Sequence, residues 1–520
     1  MFGVAVASPP PIASPPCAMM LIGLAVAAAA ATPPATTGPS CASADVRCLV
    51  GSGVMSESAL DLTEVLWVGP ENRGVYVGSP SIWKSAGKCY ASHDFFGRTT
   101  INATVQVFVD ETGNCAGPGA AWRYAGNVSG MYWANLFTLP NSDGDADELY
   151  LMGVSSGDAA KDRSVVLSRS GDGGASWSSP TTLLAANATL QTNYHCAPTP
   201  TLLSSRDGRL YRAFETGSAY GALVLRTRLP LDVTHDLLSA AAWEATNTVS
   251  LDKSMIPASW GTTKFGWQEG SAIELPDGSV ANMLRIDGQT AATHNKAALL
   301  VVDSGFSLRF ETMVDFPATT SKFVVRLEPR TGPQYRYYSL TTDVTPVAVA
   351  SGTVYARNHL VLATSVGGLT NWSVCATLLV DDTGFLSAAD SARFTGFHYV
   401  DWIFDGSDIV YAIRTGYRGA NSYHNANRLT TKRLSGYAET CARGLSWQDR
   451  YTRVGGGWCR PTAGYRPSEP WGGDERECAQ RCDASDGCAG FAANGSACAL
   501  YPLAPTASSG ADGFSCWRRA

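Results

Sequence analysis

The chain has 520 residues, 45% of them hydrophobic and 16% charged, which is enough for a large core in more than one domain. A net charge of -6 leaves no basic field of the kind that holds nucleic acid, so no nucleic-acid partner is expected. With 52 Gly, 14 Trp and little helical periodicity, the expected class is all-β with many turns.

Residues 1–31 contain no Lys or Arg, and an apolar run from Met19 to Ala31 precedes Thr32-Pro33-Pro34. The run is short for a bilayer span. It reads as a secretory signal peptide cleaved near Ala31, although the usual positive n-region is missing. A gene-model artefact and an uncleaved anchor are the other readings. Residues 32–65, Ala/Thr/Pro/Ser-rich at first, are expected to be a linker in which Cys41 and Cys48 close a small loop. Fourteen cysteines, six of them in the last 62 residues, suit an oxidising compartment, secreted or at the cell surface. Five sequons, at Asn102, Asn127, Asn187, Asn371 and Asn494, are potential glycan sites.

From about residue 66 to 437 one unit recurs: an apolar run, a Gly/Asp/Pro turn, and a second apolar run. Hairpins are predicted at 79–94, 134–154, 197–215, 269–285, 322–340 and 398–414, with turns spaced by roughly 55 to 75 residues. Such a period suits four-stranded blades around an axis, so a six-bladed β-propeller is predicted. In the fourth hairpin, WQEGSAIELPDGSVANMLR, Glu269 and Arg285 lie eight residues either side of Asp277. Folding at that turn puts both at its open end.

Ser170 to Trp177, SGDGGASW, fits S-x-D-x-G-x-[ST]-W, and Ser365 to Trp372, SVGGLTNW, is a worn copy without the Asp. The octapeptide resembles the Asp-box, or BNR repeat, of the sialidase superfamily. That resemblance implies a propeller and assigns Asp172 a structural turn. The spacing E-x4-E-L-x2-G-x6-R, met by Glu269, Glu274, Leu275, Gly278 and Arg285, resembles the same family. It implies Tyr399 of Tyr399-Val400-Asp401-Trp402 as nucleophile, Glu269 as its base, and Arg285 and Arg357 as anion binders. Asp94 in ASHDFFG is the nearest counterpart of the acid. The first arginine of the family has no counterpart in Val77-Gly78-Ser79-Pro80-Ser81-Ile82. An anionic sugar other than sialic acid, such as a uronate or sulfated unit, is therefore an equal expectation.

After a linker at 438–457, residues 458–518 are Cys-dense and resemble a PAN/Apple-like domain, a class that binds protein or carbohydrate. Sequence alone allows 15 connectivities for six cysteines. The resemblance implies Cys459–Cys516, Cys478–Cys498 and Cys482–Cys488.

Polar residues at the hairpins' open ends complete the candidate site. They are His93, His195, Lys322, Asp401, Arg414 and His424 beside those already named. Of these His195, His424 and Arg414 are expected to contact substrate. Histidine suits acid–base work near neutrality. No His/Cys spacing implies a metal, and no cofactor is expected. The expected function is a secreted glycoside hydrolase acting on a glycan or polysaccharide. A lyase using His195 or His424 with Tyr, and a non-catalytic adhesin, are the alternatives.

Overall fold

Apolar alternation on both sides of Asp/Gly turns dictates antiparallel hairpins, and the computed structural model builds six sheets of four or five strands from them. It describes residues 54–519 except 56–59, 69–73, 98–103, 141–146, 157–162, 188–192, 196–198, 217–219, 233–235, 261–264, 289–292, 319, 330–334, 343–345, 350–351, 382–385, 446–450, 461–471, 486–487, 503 and 511–512. The expected signal peptide, the Cys41/Cys48 loop and Asn102 lie outside the described residues. Asn127, Asn187, Asn371 and Asn494 are exposed.

The first strands of the six sheets are Ser81–Ser85, Met131–Pro140, Leu202–Leu203, Gly266–Glu274, Val324–Leu327 and Gly396–Asp405. Hydrogen bonds join them in a closed ring. Asn135 Nδ2 donates to Ser81 Oγ (3.0 Å), and the Thr201 amide to Asn135 Oδ1 (2.9 Å). Ser205 Oγ and Tyr337 OH donate to the carboxylate and carbonyl of Glu274 (2.6 and 3.0 Å). Trp402 Nε1 donates to the Val324 carbonyl (3.0 Å), and Ser81 Oγ to Asp401 Oδ2 (2.8 Å). The core follows the same cycle. One apolar cluster fills each junction between neighbouring sheets, for example Leu340, Leu362, Trp402 and Ile413 between the fifth and sixth.

Two linker expectations are corrected. Within 32–65, Leu62 to Val65 belong to the strand Leu62–Trp67, which pairs with Arg428–Leu434 and completes the sixth sheet. The physical reason is burial: Leu62, Val65 and Leu66 are fully covered, and without them the outer edge of that sheet would be open. Residues 438–457 carry the helix Tyr437–Leu445 and the strand Tyr451–Gly456. The helix is tied to the fifth sheet by Cys375–Cys441.

The octapeptide at Ser170 forms the turn between the third and fourth strands of the second sheet. Asp172 Oδ1 accepts from Ser170 Oγ (2.8 Å) and the Ser176 amide (2.9 Å), and Trp177 Nε1 donates to the Gly174 carbonyl (3.0 Å). Trp372 repeats that last bond to Leu369 (2.7 Å).

In the C-terminal part, Asp474 caps the helix Glu475–Ala484 in a reciprocal pair with Glu477. The helix covers a four-stranded sheet, and Cys459–Cys516, Cys478–Cys498 and Cys482–Cys488 staple it. It docks on the fifth sheet, where Arg481 Nη2 lies 3.2 Å from His359 Nδ1.

Asp401 is fully buried and accepts from Ser81 Oγ, the Ile82 amide (3.0 Å) and Arg326 Nη2 (3.3 Å). Asp401→Asn leaves the Arg326 charge without its counter-charge, and the expected loss is about 3 kcal/mol. Urea unfolding measures it. A loss below about 1 kcal/mol would show that the ring does not depend on this carboxylate.

Candidate active site

Three first strands break register at an equivalent place: between Tyr132 and Asn135, Gln268 and Ser271, and His398 and Asp401. The residues just past the break, Trp133, Glu269 and Tyr399, are left-handed, with φ of 50°, 60° and 56°. A non-Gly residue there costs about 1 kcal/mol or more, and it persists where surrounding contacts hold it. At Glu269 those contacts are plain. The Gly270 amide donates to Glu215 Oε1 (2.8 Å), and a Cβ on Gly270 would stand 2.1 Å from Asn282 Oδ1. Residue 270 has to be glycine for the strands to approach.

The bulges bring together residues from sheets two apart in the ring. Tyr399 OH donates to Glu269 Oε1 at 2.8 Å. Arg285 Nε donates to the other oxygen of the same carboxylate. Arg285 Nη1 and Arg357 Nη2 each donate to the Thr320 carbonyl at 2.6 Å. The Arg357 and Arg414 guanidiniums lie 5.8 and 5.0 Å from the centre of the Tyr399 ring. All five side chains are buried.

Burial pushes the Tyr399 phenol up to about 12, Glu269 adds to that, and the three arginines work against it. Burial also penalises the Glu269 carboxylate, but Arg285 and its hydrogen bonds outweigh this and hold it below the usual range. Glu269 is therefore an ionised base holding the phenol proton. Burial lowers Arg414 to about 10, so it stays charged at neutral pH. Among the described residues, Arg414 Nε has no hydrogen-bond acceptor. Three guanidiniums thus stand around the Glu269 carboxylate and the neutral phenol, with the Asp287 carboxylate 3.2 Å from Arg285 and Asp94 within the field of Arg414.

Asp94 stands at the same mouth. Its carboxylate accepts from the Ser79 amide (3.0 Å) and the Trp133 amide (3.3 Å). Burial raises it to about 6, against those bonds and the charge of Arg414. His93 turns the other way, as strand alternation requires, and its ring lies against Phe95 and Phe108.

The remaining expectations divide. His195 is buried with Nδ1 3.3 Å from Glu215 Oε2, the carboxylate that also anchors Gly270. His424 sits against Arg414, whose Nη2 donates to the His424 carbonyl (2.5 Å), and burial with the neighbouring arginines depresses it to about 3. Lys322 is buried, and desolvation lowers it to about 8 against the pull of Asp401 and Glu269. Asp401 serves the ring of sheets. Among the described residues no group of three or more His, Cys, Asp or Glu is placed to hold a metal ion.

Sequence reasoning passed over Trp133 and Glu215. Trp133 had no local signal. Measured from the break in each first strand it occupies the place of Glu269 and Tyr399, but bulges leave no mark in apolar alternation. Glu215 had none, because its partner Gly270 is distant in sequence.

No family model and no curated protein sequence matches the chain. Solved structures do resemble it. An α-L-arabinofuranosidase from Fusarium graminearum, in complex with an iminosugar inhibitor, is 9% identical with a TM-score of 0.50, covering 73% of this chain and 98% of that one. The α-L-arabinanase of Penicillium chrysogenum complexed with arabinobiose is 11% identical (TM-score 0.48; 72% and 98% covered). The NanB sialidase of Streptococcus pneumoniae is 11% identical (TM-score 0.44; 74% and 70% covered). At such identity the likeness is one of fold, and the chain has a propeller-like all-β architecture.

Proposed function

We propose that the protein is a secreted glycoside hydrolase that removes an anionic sugar, sialic acid or another acidic residue, from glycans or polysaccharides. Its scaffold on this reading is a six-bladed propeller led by a signal peptide and followed by a PAN/Apple-like module for a protein or carbohydrate ligand. The observation that carries the reading is the Tyr399 phenol donating at 2.8 Å to the Glu269 carboxylate within a group of three buried arginines. Guanidinium forks match a carboxylate bidentately, and Tyr nucleophiles serve glycosidases whose substrate carries an anion beside the reacting carbon. Arg414 supplies the third guanidinium in place of the arginine missing from the first blade.

In this mechanism Tyr399 O attacks the anomeric carbon as its proton passes to Glu269. The leaving oxygen takes the proton of Asp94. Asp94 then removes a proton from water, whose oxygen displaces Tyr399 from the sugar, and Glu269 returns the proton to the phenol. No cofactor takes part.

Mass spectrometry of products from sialosides and acidic polysaccharides tests the reading. A free hydrated sugar supports it. An unsaturated sugar would replace it with elimination, and binding without product would replace it with an adhesin.

The acid must be protonated in the first step, and Asp94 titrates near about 6. On the proposed mechanism, kcat/KM therefore falls about tenfold per pH unit above that value. Asp94→Asn loses the limb together with most of the rate. A flat profile between pH 5 and about 8 would remove Asp94 from the role.

A further inference from the structure

The first strands start at the Tyr399–Glu269 mouth and end at a second opening. There every first strand except that of the second sheet lines a cavity of about 600 Å³, a size that holds a small molecule. Glu274 of this cavity shares a strand with Glu269, and Phe404 shares one with Tyr399. Five residues at about 3.3 Å each put the two openings roughly 15 Å apart. Fully buried Asp401, held by Ser81, lies between Tyr399 and Phe404 on their strand.

Much of the wall is apolar: Ile273, Leu327 and Ile403, with the rings of Trp83, Tyr335 and Phe404. Leu203 also lines it, with 51% of its surface exposed. Lys84, Arg326, Glu274 and Glu328 are the charged groups of the lining. Both cations are offset by carboxylates outside it. Lys84 Nζ donates to both oxygens of Asp405 (2.9 Å), and Arg326 Nη2 to Asp401 (3.3 Å). The carboxylates have only neutral donors. Glu274 accepts from the Ser205 amide and hydroxyl (2.7 and 2.6 Å), and Glu328 from Tyr437 OH (2.9 Å). Among the described residues neither forms an ion pair. Arg336, which feels the charge of Glu328, bonds Tyr338 OH instead (3.4 Å). The charge left over in the cavity is therefore negative.

We infer that this second opening binds an organic cation, an ammonium group on an apolar or aromatic stem. The stem covers the aliphatic and aromatic wall, and the ammonium donates to Glu274 and Glu328. The inference does not rest on the hydrolase reading.

Three probes with one stem test it: phenethylammonium, 2-phenylethanol and 3-phenylpropionate. In calorimetric titrations of the whole protein at pH 7, the ammonium binds about tenfold more tightly than the alcohol, and the carboxylate binds most weakly. Glu328→Gln keeps an acceptor for Tyr437 and removes one charge. It brings the ammonium down toward the alcohol, whose own affinity stays unchanged and shows that the cavity survives. Leu327→Trp fills the cavity from its wall and abolishes binding of both. Equal affinity for the three head groups, or a preference for the carboxylate, overturns the inference. So does Glu328→Gln if it leaves the ammonium preference intact or weakens both probes equally. Binding retained in Leu327→Trp places the ligand elsewhere and overturns it too, as does the absence of binding by every probe at millimolar concentration.

Discussion

Tyr399→Phe lowers kcat on the anionic glycan by about 1000-fold or more while ligand affinity stays within about threefold. The phenyl ring keeps its place against Arg357 and Arg414, so the anion-binding groups are undisturbed. What disappears is the oxygen that attacks and the proton that Glu269 receives. Because Glu269 remains paired with Arg285, the fold loses one hydrogen bond, about 1 kcal/mol. Glu269→Gln is expected to fall almost as far, for the converse reason. The phenol is held near about 12, and a neutral amide cannot take its proton at pH 7. The two losses overlap when combined, since both residues act in one step. Single-turnover kinetics with product mass spectrometry measures them, and full turnover in either variant removes the pair from the chemistry.

Arg414→Ala weakens binding of the free anionic sugar by about 100-fold or more, against little change for its neutral analogue. Arg414 is the cleanest arginine to remove. Arg285 neutralises buried Glu269, so its loss would strand a carboxylate. Arg414 donates to the His424 carbonyl and lies 3.5 Å from the His424 ring nitrogen, and its Nε is unsatisfied within the described residues. The Asp94 and Glu269 carboxylates offset its buried charge only in part, and desolvation lowers it to about 10, so a bound anion is favoured beside it. Calorimetric titration reads the effect. Equal weakening of anionic and neutral ligands would show a structural role, and no weakening of either would leave the site without its third anion-binding group.

The hairpins were legible because period-2 alternation broken by Asp/Gly turns is a local signal. All six predicted turns have strands on both sides among the described residues. Glu269 and Arg285 were legible for the same reason: the register sets Gln268 opposite Arg285, so hairpin geometry alone brings acid and base to one end. Their contact with Tyr399, 130 residues away from Glu269, was not readable in this way. The resemblance to the sialidase superfamily supplied Tyr399, and only closure of the ring set it against Glu269. The linker boundaries failed because the strand Leu62–Trp67 owes its place to a partner more than 360 residues later in the chain.

The sequence by itself determined the class of fold, the hairpins, and which polar groups stand at their open ends, since each follows from turn chemistry and side-chain alternation within about twenty residues. Tertiary structure alone decided that Arg414 joins Arg285 and Arg357, that Asp94 rather than His93 faces the mouth, and that Trp133 shares the bulge of Glu269 and Tyr399. Those placements depend on a strand shifting by a residue or two at a bulge and on six sheets closing into a cycle. Both are settled by burial and hydrogen bonding between segments hundreds of residues apart, which no local pattern encodes.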